Sequence, residues 1–296
     1  MKKCFQFFPK TGRSQSCVSP SLRRDTGPGP RDCKGNKKMG KIHRAAAAGD
    51  LWEVLQLLLQ GDQGPNDVDE CNRTPLHLAC VYGCPDVVTL LVERKCHLNP
   101  RDLGGLTPLM RAIQGQREQC TSILLKRGAD PKLADTCNNT TLHYAAYGQN
   151  TAIVSELLHY NCDLEAQNND GFTPLLPAVQ ADNKEMVEIF LKNGANVNAV
   201  DKHQRTALMI AAKRCLLEMI NLIKYDADPF CRDKDGWTIY DFTFYEAMRR
   251  HLAEYCALWE KRIQLNRTSE STLGGSTMNK RSSGRNFPRR LYEQPL

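Results

Sequence analysis

Apolar residues recur along the central part of the chain with two spacings, four residues within a segment and 33 residues between segments. A spacing of four places two side chains on the same face of a helix, and the longer period repeats that helix along the chain. The first column holds Val87, Cys120, Ile153, Met186 and Met219, and the second holds Leu91, Leu124, Leu157, Phe190 and Ile223. The pattern predicts stacked amphipathic helices whose columns form a continuous core.

A threonine recurs with the same 33-residue period and opens each unit at Thr74, Thr107, Thr140, Thr173 and Thr206, with Thr238 following after 32 residues. Its hydroxyl is expected to cap a first helix, and the proline that follows three of the copies suits the first helical position, where no N–H is needed. Gly or Asn, which tolerates the positive φ of a tight turn, stands two residues before every one of these threonines except Thr206. Gln204 stands there instead.

Several short sequence segments resemble those of a known family. Residues 74–80 (TPLHLAC) and 128–131 (GADP) resemble ankyrin repeats, and residues 41–46 (KIHRAA) resemble a first, polar cap repeat. Residues 87–96 (VVTLLVERKC) and 142–147 (LHYAAY) are similar to the POTE ankyrin family and related testis-expressed ankyrin repeat domain-containing proteins. The resemblance implies an all-α ankyrin-repeat solenoid with β-hairpin tips, a non-enzymatic interaction module and expression in testis.

Three regions are expected along the chain. Residues 1–38 and 265–296, rich in Pro, Gly, Ser and basic residues, are expected to be disordered. Residues 39–260 are expected to hold about six repeats that start near 41, 74, 107, 140, 173 and 206. Helical spacing from Phe242 to Trp259 predicts a C-terminal cap over 238–264. A short coiled coil also fits that spacing, but barely two heptads are present, which favours the cap.

The charge of the chain is divided between its ends and its body. Residues 1–38 hold ten lysines and arginines against two acids, and residues 261–296 hold eight against two. The residues between them carry 22 basic and 29 acidic side chains. Basic ends suit nucleic acid or an anionic surface, so a nuclear regulator that binds nucleic acid or chromatin through its tails is the alternative function. A solvated, disordered tail whose charge only aids solubility is the other explanation, and the low hydrophobicity of the tails favours it.

The composition favours an intracellular protein without a membrane span. No apolar run approaches the length of about 18 residues that a spanning helix needs, and the apolar start of the chain ends early, at Pro9. The thirteen cysteines are scattered along the chain, which suits reduced thiols in cytoplasm or nucleus. We expect a monomer that binds a protein partner and needs no cofactor.

The candidate chemical groups favour structure over catalysis. The family resemblance implies that His77 bonds the preceding turn and braces the next repeat, as does His143. His77, Cys80 and Cys84 are spaced like helical metal ligands, but Gly83 and Pro85 end that helix and no paired Cys-x-x-Cys adds a fourth ligand. We therefore expect small cysteines in a contact between helices, and no catalytic, metal or cofactor residues.

Binding residues are expected at the hairpin tips and on the first helices, which form the concave face in the family. Aromatic and arginine side chains are favoured interface anchors. The candidates are Tyr82, Leu103, Leu106, Arg111, Tyr144, Tyr147, Phe172, His203, Arg205, Lys213, Arg214 and Trp237. The alternative for each of these residues is that its side chain shields its own repeat from water.

Pro177 is unusual because it falls four residues after Thr173, inside the predicted first helix of its repeat. A proline there removes a backbone hydrogen bond. We expect this repeat to open slightly and Pro177→Leu to raise the melting temperature.

Overall fold

The computed structural model describes residues 39–214, 222, 225–243, 249–250, 252–257, 259–261 and 264. The chain divides into two compact units, Met1–Arg249 and Arg250–Leu296. The tails predicted to be disordered and the core positions Met219 and Ile223 lie outside the described residues.

The described part of the first unit is built from helices in pairs, joined by turns. Its eleven α-helices are α1 Lys41–Ala48, α2 Leu51–Gln60, α3 Pro75–Tyr82, α4 Pro85–Glu93, α5 Pro108–Gln114, α6 Glu118–Lys126, α7 Thr141–Tyr147, α8 Thr151–His159, α9 Leu175–Gln180, α10 Lys184–Lys192 and α11 Ala207–Lys213. A 3₁₀ helix, η1, spans Ile239–Phe242.

The helix pairs stack in two layers. The first helices α1, α3, α5, α7, α9 and α11 each pack on the next, and α11 packs on η1. The second helices α2, α4, α6, α8 and α10 form a parallel outer layer, and each packs on its own first helix. Every helix thus contacts neighbours close in sequence, which is the organisation of a repeat solenoid.

The predicted core columns are buried between these layers. Val87, Cys120, Ile153 and Met186 are each at most 2% exposed. Leu91, Leu124, Leu157 and Phe190 are fully buried. The period of 33 therefore identified the core correctly over the described residues.

The recurring threonine caps first helices as predicted, except at Thr173, whose hydroxyl has no hydrogen-bond partner. The Oγ1 atoms of Thr107 and Thr206 accept the backbone N–H groups of Met110 and Met209, each at 3.3 Å. α3 and α5 begin with a proline, as expected. Pro174, by contrast, lies before α9, which begins at Leu175.

All six predicted turn positions adopt positive φ, at Asn72, Gly105, Asn138, Gly171, Gln204 and Gly236. Gln204 does so at 59°, although its side chain is not one that favours this region. The surrounding hydrogen bonds hold it there. Within the described residues the hairpins contain two isolated bridges, Ala134 with Thr140 and Val200 with Thr206, and otherwise consist of turns.

The second unit is described only in part. Residues 252–257 and 259–261 are helical, and Leu252, Tyr255 and Cys256 are buried. Tyr245 and Met248, which contributed to the predicted cap, lie outside the described residues. The cap over 238–264 therefore stays a prediction.

Candidate protein-binding surface

A tip precedes each first helix from α3 onward, and a sixth precedes η1. The tips are residues 69–73, 102–106, 135–139, 168–172, 201–205 and 233–237. Each opens with an Asp or Asn whose Oδ1 atom accepts two backbone N–H groups, from the residues two and four positions later. At Asp102 the two donors are Gly104 and Leu106, each at 2.9 Å. This role was not predicted, although the recurring Asp or Asn was its signal in the sequence.

Backbone hydrogen bonds join each tip to the next. In every pair the N–H of the later tip donates to a carbonyl of the earlier one. The bonds run from Leu103 to Cys71 at 3.0 Å, Thr136 to Gly104 at 3.3 Å, Asn169 to Cys137 at 2.9 Å, Lys202 to Asp170 at 3.0 Å and Lys234 to His203 at 3.0 Å. The tips are therefore fixed relative to one another along the stack.

His77 and His143 tie first helices to the following tip, as the family resemblance implied. The Nδ1 atom of His77 accepts the N–H of Thr74 at 3.0 Å, so its Nε2 atom donates to the carbonyl of Leu106 at 3.1 Å. His143 does the same with Thr140 and with Phe172. Burial lowers the pKa of His77 to about 4, so the imidazole is neutral near pH 7.

Five of the candidate binding residues are exposed on the tips or at the end of α11. Leu103 is 72% exposed and Trp237 is 50% exposed, and the ring of Trp237 lies 5.6 Å from that of Phe242. His203, Lys213 and Arg214 are also exposed. These side chains are available to a partner without rearrangement of the fold.

Two candidate arginines are half-exposed and are oriented by buried carboxylates. The Nε atom of Arg111 donates to Oδ2 of Asp102 at 2.9 Å, and that of Arg205 donates to Oδ2 of Asp201 at 2.7 Å. Both aspartate side chains are almost inaccessible, whereas each arginine side chain is 25% exposed. The guanidinium groups are thus held in fixed positions at the surface.

Three candidates are buried, which corrects their assignment to the surface. Leu106, Tyr144 and Phe172 are 3%, 3% and 7% exposed. The hydroxyl of Tyr144 donates to Oδ2 of Asp135 at 2.6 Å. These three side chains support the tips from within and are not accessible to a partner.

Tyr82 and Tyr147 are half-buried on the first helices. The hydroxyl of Tyr147 donates to Oε1 of Gln180 at 3.3 Å, which joins α7 to α9. Burial, aided by the charge of Asp170, raises the pKa of Tyr147 to about 12. Tyr147 is therefore a neutral group that contributes ring surface and a hydroxyl.

The described residues hold no group of three or more His, Cys, Asp or Glu side chains that could bind a metal ion. Six cysteines in this part of the chain form no disulfide bond: Cys71, Cys80, Cys84, Cys96, Cys120 and Cys162. Burial raises the pKa values of Cys96 and Cys120 to about 11 and also raises that of Cys80, so these thiols are protonated at neutral pH. Among the described helices, none is long and apolar enough to cross a membrane.

Stacked helix pairs with tips joined along one edge define a repeat protein of the class that displays an extended binding surface. The family profile described as "Ankyrin repeats (3 copies)" matches residues 42–135, 119–201 and 142–235. The chain belongs to the ankyrin-repeat family, which is an interaction fold without enzymatic activity.

Two curated relatives match the repeats. Human Rabankyrin-5 is 35% identical over 171 residues, which cover 56% of this chain and 14% of that protein. The mouse B-cell lymphoma 3 protein homolog is 31% identical over 196 residues, which cover 63% of this chain and 44% of that protein. The chain spans less than half the length of either relative. The narrower resemblance to the POTE ankyrin family stays a prediction.

Two solved structures have a similar fold. The human ASB11 ankyrin repeat domain has a TM-score of 0.67 and 26% identity, and the ankyrin repeat domain of Bcl-3 has a TM-score of 0.65 and 28% identity. Each comparison covers 73% of this chain and 98% of the other. The likeness thus extends over nearly the whole of each of those repeat domains.

Proposed function

We propose that this protein binds a partner protein on its inner surface, defined as the tips together with the exposed side of the first helices. The observation that carries the proposal is the row of backbone hydrogen bonds that joins every tip to the next. Because the tips are already ordered, binding costs little conformational entropy. Leu103, Trp237, Tyr82 and Tyr147 offer the apolar and aromatic contact that interface centres favour.

The end of this surface nearest η1 is basic, so we propose that it receives an acidic segment of the partner. Lys202, His203, Lys213, Arg214 and Lys234 are all exposed there, beside two exposed acids, Asp235 of the last tip and Asp241 of η1. Complementary charge of this kind contributes chiefly to the rate of association and to specificity.

Proximity labelling in cells with the full-length chain tests the proposal. We compare the unchanged chain with Lys213→Glu/Arg214→Glu on the inner surface and with Lys126→Glu/Arg127→Glu, an exposed pair at the end of α6 in the outer layer. The labelled partners should be lost with the inner pair and retained with the outer pair. Equal partner sets for both variants would show that the inner surface does not bind them.

The basic tails support a second candidate, association with nucleic acid or chromatin. The residues that favour it are Lys280, Arg281, Arg289 and Arg290, among the basic residues of 261–296. Binding of the full chain to a short DNA duplex should weaken steeply between about 50 and 200 mM salt. It should also weaken when these four residues are replaced by alanine, and binding that depends on neither change contradicts the candidate.

We propose further that the protein is a monomer of the cytoplasm or nucleus. Six cysteines of the described region that form no disulfide bond, Cys71, Cys80, Cys84, Cys96, Cys120 and Cys162, support a reducing compartment. Light scattering of the purified chain should give the mass of one chain, and imaging of a tagged full chain should place it in cytoplasm or nucleus. A mass of two chains would contradict the monomer, and secretion of the tagged protein would contradict the location in cytoplasm or nucleus.

A further inference from the structure

Helix α2 presents an apolar surface where the other second helices are polar. The relevant positions are the first, second, fifth and ninth residues of each second helix. In α2 they are Leu51, Trp52, Leu55 and Leu59. In α4 they are Pro85, Asp86, Thr89 and Glu93, and in α6 they are Glu118, Gln119, Ser122 and Lys126. In α8 they are Thr151, Ala152, Ser155 and His159, and in α10 they are Lys184, Glu185, Glu188 and Lys192. The fold therefore does not require apolar side chains at these positions.

The position of α2, in the first helix pair that the structure describes, does not explain this apolar surface. The third residue of each second helix shows the effect of position in the stack. It is Val87, Cys120, Ile153 or Met186 in the helices that follow another pair, and all four are buried. In α2 the same position is Glu53, which is exposed. At this position α2 is thus polar, as the first pair of a stack requires, while its outer face is apolar.

The outer face of α2, defined as Leu51, Trp52, Leu55 and Leu59, is large and accessible. Trp52 and Leu59 are each 68% exposed and Leu51 is 43% exposed, while Leu55 is half-buried. The four side chains follow one face of the helix over about 12 Å, from the rise of 1.5 Å per residue. Clustered apolar side chains with an exposed tryptophan are typical of a docking surface.

Negative charge lies at one end of this face. Between Arg44 and Arg73 the chain contains no lysine or arginine and six acids, of which Asp69 is paired with Arg73 in its tip. Asp50 and Glu53 lie at the start of α2 itself, and both are exposed. An occupant of this face must therefore combine apolar side chains with positive charge.

We propose that residues 2–10 of this chain are that occupant. Their sequence, KKCFQFFPK, contains three phenylalanines, three lysines and no acid. Residues 11–38 connect them to Met39, two residues before α1, and α1 packs on α2. That connection can span far more than the length of α2, and it raises the effective concentration of the segment at the face. Residues 287–296 also contain apolar and basic side chains, but include Glu293 and belong to the second unit.

Site-specific photo-crosslinking of the full-length chain tests the proposal. Trp52 is replaced by p-benzoylphenylalanine, and Asp86 is replaced by the same residue as a control at the equivalent position of α4. Irradiation of Trp52→p-benzoylphenylalanine should give a product within one chain, and trypsin should release it joined to residues 4–10. Asp86→p-benzoylphenylalanine should give little of this product.

Two further variants separate specific docking from chance contact. Phe5→Ser/Phe7→Ser/Phe8→Ser should lower the yield by about tenfold, since it removes the apolar contacts and the local concentration alone gives weak contact. Val18→Ser/Leu22→Ser, in the connecting residues, should leave the yield unchanged. The proposal is overturned by a cross-link between two chains, a cross-link to residues 287–296, no cross-link, or an undiminished yield in the triple variant.

Discussion

A single Asp or Asn side chain organises each tip. At Asp102 and Asp201 one carboxylate oxygen accepts two backbone N–H groups, and the other holds the guanidinium of Arg111 or Arg205. Asp69 holds Arg73 in the same way. Burial opposes ionisation of Asp69, but the hydrogen bonds and charge of Arg73 outweigh it and lower its pKa. Arg111 and Arg205 are therefore bound to their tips and are also candidates for binding.

Replacing Asp201 by alanine should destabilise the protein by about 2 kcal/mol, because two partly buried N–H groups and one guanidinium lose their acceptor. Urea unfolding of the full chain measures the change. Lys202→Ala, at an exposed position of the same tip, should change the free energy of unfolding by less than about 0.5 kcal/mol. Equal effects of the two substitutions would mean that the carboxylate does not organise the tip.

The free energy of unfolding should fall as the pH decreases from 6.5 to 4, because burial lowers the pKa of His77 from 6.5 to about 4. Unfolded His77 takes up a proton through about pH 6.5, while folded His77 stays neutral until about pH 4. The contribution of neutral His77 to the free energy of unfolding is therefore complete above pH 6.5. It decreases below that pH, by up to about 3 kcal/mol at pH 4. Burial lowers the pKa of His143 as well, so it acts in the same direction.

Urea unfolding at several pH values between 7.5 and 4.5 checks this dependence. His77→Gln should reduce the stability at pH 7.5 and also make its pH dependence shallower. A variant whose stability falls as steeply with pH as that of the unchanged chain would contradict the assignment to His77.

At the scale of elements, α9 is the weakest of the first helices. It has six residues, whereas α1 and α3 have eight. The carbonyl of Thr74 accepts the N–H groups of His77 at 3.0 Å and Leu78 at 3.4 Å. The carbonyl of Thr173, by contrast, accepts the N–H of Leu176 at 3.1 Å and receives no bond from Pro177, which has no N–H. The hydroxyl of Thr173 is buried without a hydrogen-bond partner, unlike those of Thr107 and Thr206.

Pro177→Leu should raise the melting temperature by about 2–4 °C, as expected for about 1 kcal/mol in a chain of this size. The new N–H restores a backbone bond, and Leu78 and Ile210 occupy the equivalent position of α3 and α11. Pro174→Leu is the matched control and should give no gain, since no bond is missing there. Differential scanning calorimetry distinguishes the two, and an unchanged melting temperature in Pro177→Leu contradicts this account of α9.

Periodicity predicted the helices, the caps and the turn positions, because each depends on residues close in sequence. Periodicity did not distinguish buried from exposed candidate binding residues that occupy the same position of different repeats. Leu106 and Phe172 stand directly before a threonine, as Arg205 and Trp237 do, yet only the first two are buried. Long or large polar-tipped side chains reach past the tip to water, while apolar ones pack inward. That choice depends on neighbouring repeats and is not visible in a local pattern.

At the scale of the whole molecule, the described part of the first unit offers two different surfaces. The inner surface carries aromatic and basic side chains on tips joined by hydrogen bonds. The outer layer is polar along α4, α6, α8 and α10 and apolar on α2. Because every repeat contacts only its neighbours, substitutions on one surface should leave the other surface intact. The two proposals can therefore be tested independently.

Hydrogen exchange of the full chain, with and without a partner found by proximity labelling, tests the central claim most directly. We predict that the partner slows exchange at the tips 201–205 and 233–237 and at the end of α11. Exchange in α4, α6 and α8 should stay unchanged. Slower exchange confined to these outer helices, with the tips unaffected, would contradict binding on the inner surface.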